Sequence, residues 1–258
     1  MMTQLYRSVA PRLIVIRGYF LFLLEKIFSC SIRKSSKYRR LTTRLHPPPS
    51  PLLDPIPSPP ADDCFPDDNV VPMKLAVLGD DRIGKTSFVM KYLGEERQTS
   101  QLQMKELNVM GKTLLVQNAR ISLSIWDVKG DCKACDEVAI ACKDSIAILF
   151  MFDLTSRATL NSVAEWYCEA RKRNEVNAIP VLIGTKFDEF SKLPENLQSL
   201  IVTQARAYAK TMKATLFFSS AAANINVSKV FKFLIAKIFN LPWTVERNLN
   251  VGEPIIDF

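Results

Sequence analysis

The 258-residue chain is long enough for one sizeable core, and its hydrophobic fraction of 48% is typical of a globular protein. Its net charge of +8 is uneven, because residues 1–46 carry +9, residues 47–72 carry −5 and the rest carry +4. The basic character therefore belongs to the N-terminus, and a nucleic-acid-binding core is not expected. Six cysteines without the spacing of a disulfide framework exclude a secreted scaffold and predict a cytoplasmic protein.

Residues 1–46 form a basic N-terminal extension with one apolar stretch, Arg12–Phe28. Charged residues interrupt this stretch, so its apolar part is shorter than the roughly 20 residues of a membrane span. The sequence leaves three interpretations open. Residues 12–28 form an amphipathic helix that makes peripheral membrane contact or docks on a partner, they belong to a transit peptide, or the extension is partly disordered and has no function.

Residues 47–72 contain ten of the 15 prolines and five aspartates. Proline fixes φ and lacks an N–H donor, so we predict a semi-rigid acidic linker without any packed element.

From Met73 onward, short apolar runs alternate with helical patterns, and we assign residues 73–243 to one domain. The run SIAILFMFDL is continuous, as in a central strand buried on both faces. Alternation of strands and helices predicts an α/β fold with a mostly parallel, doubly wound sheet and helices on both faces. We predict strands within 74–79, 120–128, 145–154, 178–185 and 214–220, and helices over 86–93, 160–174, 197–212 and 226–239.

The link VLGDDRIGKTSF, which spans Val77 to Phe88, follows the first strand and fits G-x-x-x-x-G-K-[ST]. Its glycines allow several N–H groups to face one concavity, and the helix that follows favours an anion at its N-terminus. This pattern predicts a P-loop NTPase fold in which Lys85 contacts phosphates and Thr86 binds Mg²⁺. The predicted nucleotide-binding residues here are Gly79, Asp81, Arg82, Ile83, Gly84, Lys85, Thr86 and Ser87.

Three later motifs extend the site in chain order. Asp127 ends the alternating strand and is predicted to hold the same Mg²⁺ through water, and the N–H of Gly130 is predicted to reach a γ-phosphate. In IGTKFD, Asp188 is suited to the two adjacent donors of guanine, while the stem of Lys186 packs on the base. The remaining predicted base-side residues are Thr185, Ser220 and Ala221.

With these motifs in this order, residues 73–258 resemble Ras-superfamily small GTPases, most closely the septum-promoting (mitotic-exit) proteins of plants and fungi. Stretches such as IGKTSFVMKY, IPVLIGTKFDEF and the ending GEPIIDF carry the resemblance. It implies a GTP/GDP switch that recruits a protein kinase or kinase scaffold in cytokinesis or cell polarity. It also implies Mg²⁺, GTPase-activating and exchange proteins, and nuclear or spindle-pole association as alternatives to a purely cytoplasmic location. No nucleic acid beyond the mononucleotide is expected.

The sequence departs from the family pattern at three places. Lys105 and Glu106 stand where small GTPases carry the switch I threonine. Lys129 stands where Ras-like chains have a small residue, and Asp131 stands where many carry a water-orienting glutamine. Lys85 and Asp131 are the candidate catalytic residues, and we expect slow hydrolysis. The sequence leaves open whether Lys105 is drift in a working GTPase or marks a weakened switch. The alternative function is a non-hydrolysing guanine-nucleotide-binding scaffold.

Residues 244–258 are predicted to be a C-terminal tail. No cysteine lies near its end, so no prenyl anchor is expected. Its final apolar residues dock on the domain or on a scaffold, or the tail is loosely ordered.

Overall fold

A computed structural model describes residues 70–94, 107–116, 119–131, 136–174, 178–242 and 245–258. The predictions for residues 1–69, and those for Lys105 and Glu106, lie outside these ranges. Within the ranges the strands are β1 (Val70–Leu78), β2 (Leu107–Val116), β3 (Ala119–Val128), β4 (Ala147–Asp153), β5 (Ile179–Thr185), β6 (Thr215–Phe218) and β7 (Ile256–Asp257). The helices are α1 (Lys85–Leu93), α2 (Asp136–Cys142), α3 (Arg157–Arg173), α4 (Phe187–Phe190), α5 (Glu195–Met212) and α6 (Val227–Ile238).

The strands form one sheet in the order β2-β3-β1-β4-β5-β6-β7. The five inner strands are parallel, while β2 and β7 are antiparallel to their neighbours. The mostly parallel sheet is therefore confirmed. The strand order reverses at β1, which pairs with β3 on one side and with β4 on the other. In open α/β sheets, ligands bind at the carboxyl ends of strands beside such a reversal.

Each face of the sheet carries its own apolar core, as the predicted helices on both faces require. One core packs α1 and α6 against the sheet, and the other packs α2, α3 and α5 against it. Every residue of β4 is buried, and its side chains alternate between the cores, with Leu149 on one side and Phe150 on the other. A continuous apolar sequence is the expected result of burial on both faces.

The observed elements differ from the predicted ones at the start of β1 and in four elements that were not predicted. Strand β1 begins at Val70, so the absence of a packed element predicted for residues 47–72 is wrong for the last three of them. Pro72 fits there because it pairs only with Ser122 of β3, whereas pairing with β4 starts at Leu75. Strands β2 and β7 and helices α2 and α4 were not predicted, and the two helices contain seven and four residues.

The C-terminal residues dock on the domain, which was one of the predicted alternatives. Strand β7 pairs with β6, and Phe218 N donates to the carbonyl oxygen of Ile255 at 2.9 Å. Ile255 and Ile256 are buried in opposite cores of the sheet. None of the helices in the described ranges is both long and apolar enough to cross a membrane.

Candidate nucleotide-binding site

Four of the predicted motifs meet at one edge of the sheet. They follow the carboxyl ends of β1, β3, β5 and β6, which are parallel strands of the sheet, with β4 between β1 and β5. The edge lies beside the strand-order reversal at β1. The fold therefore gathers residues that are more than one hundred positions apart into one place.

The loop between β1 and α1 is built as the sequence predicts. Gly84 precedes the first residue of α1 with a φ of 93°, a conformation that favours glycine. Lys85 is buried, and its Nζ donates to the carbonyl oxygens of Gly79 at 2.9 Å and Asp80 at 2.8 Å. The ammonium group is thus held against the backbone of the loop that precedes it.

The surroundings of Lys85 are rich in carboxylates. Burial lowers the pKa of Lys85, while the negative charges of Asp127, Asp81, Asp80 and Asp131 oppose this shift, in decreasing order. The four carboxylates favour the charged ammonium, as an anion-binding role requires. They also place an excess of negative charge around the loop.

Thr86 and Asp127 form the predicted metal pair. The hydroxyl of Thr86 donates to Oδ2 of Asp127 at 2.5 Å, and Asp127 is only 2% exposed. Its other oxygen, Oδ1, is buried and makes no hydrogen bond to the described residues. Burial raises the pKa of Asp127, and the Thr86 hydrogen bond and Lys85 oppose the rise.

An unpaired carboxylate oxygen beside a hydroxyl fits a hard cation such as Mg²⁺ or a water bound to it. Within the described ranges, no three His, Cys, Asp or Glu side chains could hold a metal by themselves. Mg²⁺ at this place would therefore need oxygen ligands from a bound phosphate, which is its usual arrangement in nucleotide sites.

The turn after β3 packs directly on the β1–α1 loop. A Cβ placed on Gly130 would lie 2.2 Å from Asp80 C and from Asp81 N. Only glycine therefore permits this approach. Beside it, Lys129 Nζ and Asp131 Oδ2 form an ion pair at 2.6 Å.

A contact that sequence reasoning missed joins the loop to α3. The indole Nε1 of Trp166 donates to Oδ1 of Asp80 at 2.8 Å, and Trp166 is 1% exposed. The two residues are 86 positions apart, and no sequence motif links them.

The base-side motif is hydrogen-bonded to the same loop. The hydroxyl Oγ1 of Thr185 lies 2.6 Å from Ile83 O and 2.9 Å from Phe152 O. Lys186 has a φ of 57°, and its Nζ lies 2.7 Å from Oδ2 of Asp153 at the end of β4. Thr185 thus ties the base side to the phosphate side.

Asp188 faces a cavity of about 240 Å³ that both sides share. The hydroxyl of Ser220 donates to Oδ1 of Asp188 at 2.5 Å and accepts from the N–H of Ala223 at 3.0 Å, so the carboxylate is fixed in place. The cavity is lined by Ile83, Gly84, Ser87, Phe88, Thr185, Lys186, Asp188, Glu189, Ser219, Ala221 and Ala222.

The residues that line the cavity overlap only in part with the predicted site residues. The side chain of Arg82 is 92% exposed and pairs with Asp81 at 3.4 Å, so it is not brought into the cavity. Conversely, Phe88, Glu189, Ser219 and Ala222 line the cavity but were not predicted. Their only sequence signal is that each lies next to a motif residue or one helical turn from it.

Comparison with known proteins identifies the family. Residues 74–240 match the sequence profile of the Ras family. The chain belongs to the Ras family. This Ras-family chain is 44% identical to Septum-promoting GTP-binding protein 1 of Schizosaccharomyces pombe over 190 residues, which are 74% of this chain and 96% of that protein.

Other Ras-related proteins are more distant. Rab-3 of Caenorhabditis elegans is 28% identical over 63% of this chain and 72% of its own length. Rab-3A of Homo sapiens is 24% identical over 71% of this chain and 80% of its own length. The predicted membership of the Ras superfamily and the resemblance to septum-promoting proteins are confirmed, and this chain is a small GTPase of the Ras family. The roles of individual residues stay predictions.

Proposed function

We propose that the chain is a GTP/GDP-operated switch whose nucleotide lies along the carboxyl edge of the sheet. The observation that carries this proposal is the Thr185 hydroxyl, 2.6 Å from Ile83 O, which joins the phosphate loop and the guanine motif in one cavity. A bound nucleotide contacts both the phosphate loop and the guanine motif, so these two segments must lie at a fixed distance from each other. Buried hydrogen bonds across 102 residues of sequence supply that distance.

In this proposal the backbone amides from Gly79 to Ser87 and the Lys85 ammonium hold the phosphates. Thr86 and Asp127 hold Mg²⁺, which neutralises phosphate charge when bound. Asp188 accepts from two donors of guanine, Lys186 covers the base, and the N–H of Ala221 donates to its carbonyl. Ser220 acts through Asp188, because its hydroxyl fixes the carboxylate.

Hydrolysis of the terminal phosphate is proposed to be an in-line attack by water, with Lys85 stabilising the charge that develops. Asp131 is the residue proposed to orient that water. The ion pair with Lys129 weakens its carboxylate as an acceptor for that water. We therefore expect slow hydrolysis that needs an activating protein.

The biological role follows from the resemblance. A relative that is 44% identical is named for promoting septum formation. We propose that the GTP-bound state of this chain recruits a protein kinase or kinase scaffold in cytokinesis or cell polarity. Exchange and activating proteins would control the state, in the cytoplasm or at the nucleus or spindle pole. Peripheral membrane contact would come from residues 12–28.

The alternative is a guanine-nucleotide-binding scaffold that does not hydrolyse GTP. The Lys129–Asp131 pair favours it, as do Lys105 and Glu106 in place of a switch I threonine. In this case nucleotide is a structural ligand, and the surface alone recruits the partner.

Two measurements test these proposals. Nucleotide extracted from purified protein is identified by chromatography, and calorimetry with Mg²⁺ measures GDP and GTP binding. Absence of heat for both nucleotides at millimolar concentration would disprove the nucleotide-binding function. Single-turnover hydrolysis then separates a switch from a scaffold, because release of phosphate with an activating protein is expected only for the switch.

Lys105→Thr tests the weakened switch. We expect it to raise Mg²⁺-dependent GTP affinity and the difference in partner binding between the GDP and GTP states, because a hydroxyl ligand is restored. Unchanged nucleotide affinities and partner binding would show that Lys105 does not weaken the switch.

A further inference from the structure

Lys129 lies at the point where the turn after β3 touches the phosphate loop. It directly precedes Gly130, whose backbone is so close to Asp80 and Asp81 that no side chain fits between them. The side chains that flank this contact therefore belong to Lys129 and Asp131. Both side chains lie near the loop, because the carboxylate of Asp131 acts electrostatically on Lys85 and the ammonium of Lys129 pairs with that carboxylate.

The loop is surrounded by negative charge before any phosphate binds. Asp80, Asp81, Asp127 and Asp131 all act electrostatically on the Lys85 ammonium. A triphosphate carries one more anionic group than a diphosphate, and in the proposed function that group extends toward Gly130. Repulsion by Asp81 and Asp131 would penalise the triphosphate unless a further cation approaches it.

Lys129 is placed to supply that cation. Its ammonium lies 2.6 Å from Asp131, and the two side chains are 35% and 53% exposed. An ion pair so exposed to water contributes little free energy, so its partners exchange readily. Lysine has a flexible stem and three donors, which allow its ammonium to move from a carboxylate to a phosphate oxygen.

We propose that Lys129 binds the third phosphate of the nucleotide and that Asp131 holds its ammonium aside in the diphosphate state. This inference rests on the proposed nucleotide-binding function and adds a specificity-determining residue to it. Lys129 distinguishes triphosphate from diphosphate, and Asp131 is a positioning residue that acts through Lys129. No covalent step is involved, since one ion pair replaces another.

The test compares the affinities of the full chain for GDP and for a non-hydrolysable GTP analogue, at saturating Mg²⁺, in calorimetry. Lys129→Met keeps the stem and removes the charge. We expect it to weaken the analogue about tenfold or more, the usual effect of losing a hydrogen bond to a charged group, with GDP unchanged. Lys172→Met is the matched control, because Lys172 is also ion-paired, at 2.7 Å to Glu169, but on α3 away from the loop.

Asp131→Asn is the second variant. We expect it to strengthen binding of the analogue and leave GDP unchanged, because the carboxylate no longer competes for Lys129. In combination with Lys129→Met only a smaller gain should remain, because removal of the Asp131 charge also relieves its direct repulsion of the triphosphate.

If Lys129→Met lowers the affinities for GDP and for the GTP analogue equally, or lowers neither, the inference is wrong. The proposed function is unaffected by either result. Failure of the unaltered chain to bind GDP would overturn both. A gain from Asp131→Asn that is equally large with and without Lys129 would refute the holding role of Asp131.

Discussion

The role proposed for Asp188 in base recognition depends on a fixed position of its carboxylate. The hydroxyl of Ser220 donates to one of its oxygens at 2.5 Å, and the carboxylate lines the cavity at the base side. A fixed acceptor pair favours a base with two adjacent donors. Guanine presents that pair, so in the proposed function Asp188 determines which base is bound.

Asp188→Asn should therefore weaken GDP binding tenfold to about a hundredfold, because an amide N–H would face a donor of guanine. Xanthosine diphosphate, which carries a carbonyl in place of the exocyclic amine, should bind the variant better than GDP. Competition calorimetry with both nucleotides measures the ratio. Asp144→Asn, in an exposed turn, is the control. If wild type and Asp188→Asn bind GDP with equal affinity, Asp188 does not contact the base.

The buried carboxylate of Asp127 destabilises the folded state of the nucleotide-free protein. Burial raises its pKa above the ordinary 3.8, and its Oδ1 has no partner among the described residues. A carboxyl whose pKa is raised on folding contributes stability that is complete below the unfolded value and lost as pH rises through the folded value. The folded nucleotide-free protein should therefore lose stability over that window.

Asp127→Asn should abolish this loss. The free energy of unfolding of the variant, relative to wild type, is expected to grow as pH rises from 3.8 through the raised pKa, and then to level off. The neutral amide avoids the cost of burying a charge, so a final gain of about 1–3 kcal/mol is expected. Urea unfolding of nucleotide-free protein across this window is the measurement. A difference that does not change with pH would contradict the argument. The same variant should bind Mg²⁺-GDP more weakly.

At the scale of elements, the turn after β3 and the loop after β1 depend on a glycine at their contact. Gly130→Ala places a Cβ 2.2 Å from backbone atoms of Asp80 and Asp81, so the two segments must separate. We expect a loss of about 1–3 kcal/mol in the free energy of unfolding, together with weaker GTP binding.

Gly111→Ala in β2 is the matched control for that prediction, because the nearest atom to its Cβ is Leu123 O at 3.7 Å. This exposed change should alter stability by less than about 0.5 kcal/mol. Urea unfolding and calorimetry with GTP compare the two alanine variants. Similar behaviour of both would mean that the contact at Gly130 is not needed.

The sequence predicted those elements whose signal is local. The continuous apolar run of β4 and the pattern that follows Gly84 each depend on neighbouring residues alone. Strand β7 has two residues and exists only because β6 pairs with it, and α2 is too short to show a helical period. The contact of Asp80 with Trp166 depends on the packing of α3 against the sheet, which no spacing in the sequence encodes.

At the scale of the molecule, the sheet separates two cores while its carboxyl edge carries the candidate site. Parallel strands bring the ends of β1, β3, β5 and β6 to one edge, so residues from Gly79 to Ala222 meet there. The position of each motif is set by the packing of both cores, because every residue of β4 and β6 is buried. A substitution that disrupts either core should therefore also disturb the geometry of the candidate site.

The tail offers a test of this dependence. Ile255 is fully buried, and its carbonyl accepts from the N–H of Phe218, one residue before the base-side segment that begins at Ser219. Ile255→Ala should lower the free energy of unfolding by about 2–5 kcal/mol, the usual cost of truncating a buried isoleucine.

Phe258→Ala, which changes a side chain on a residue that is 46% exposed, should cost less than about 1 kcal/mol. Urea unfolding ranks the two variants, and calorimetry with GDP under native conditions tests the link to the site. We expect weaker GDP binding only in Ile255→Ala, because only that change disturbs the end of β6. If the two variants lose equal stability, the docked tail is not part of the core.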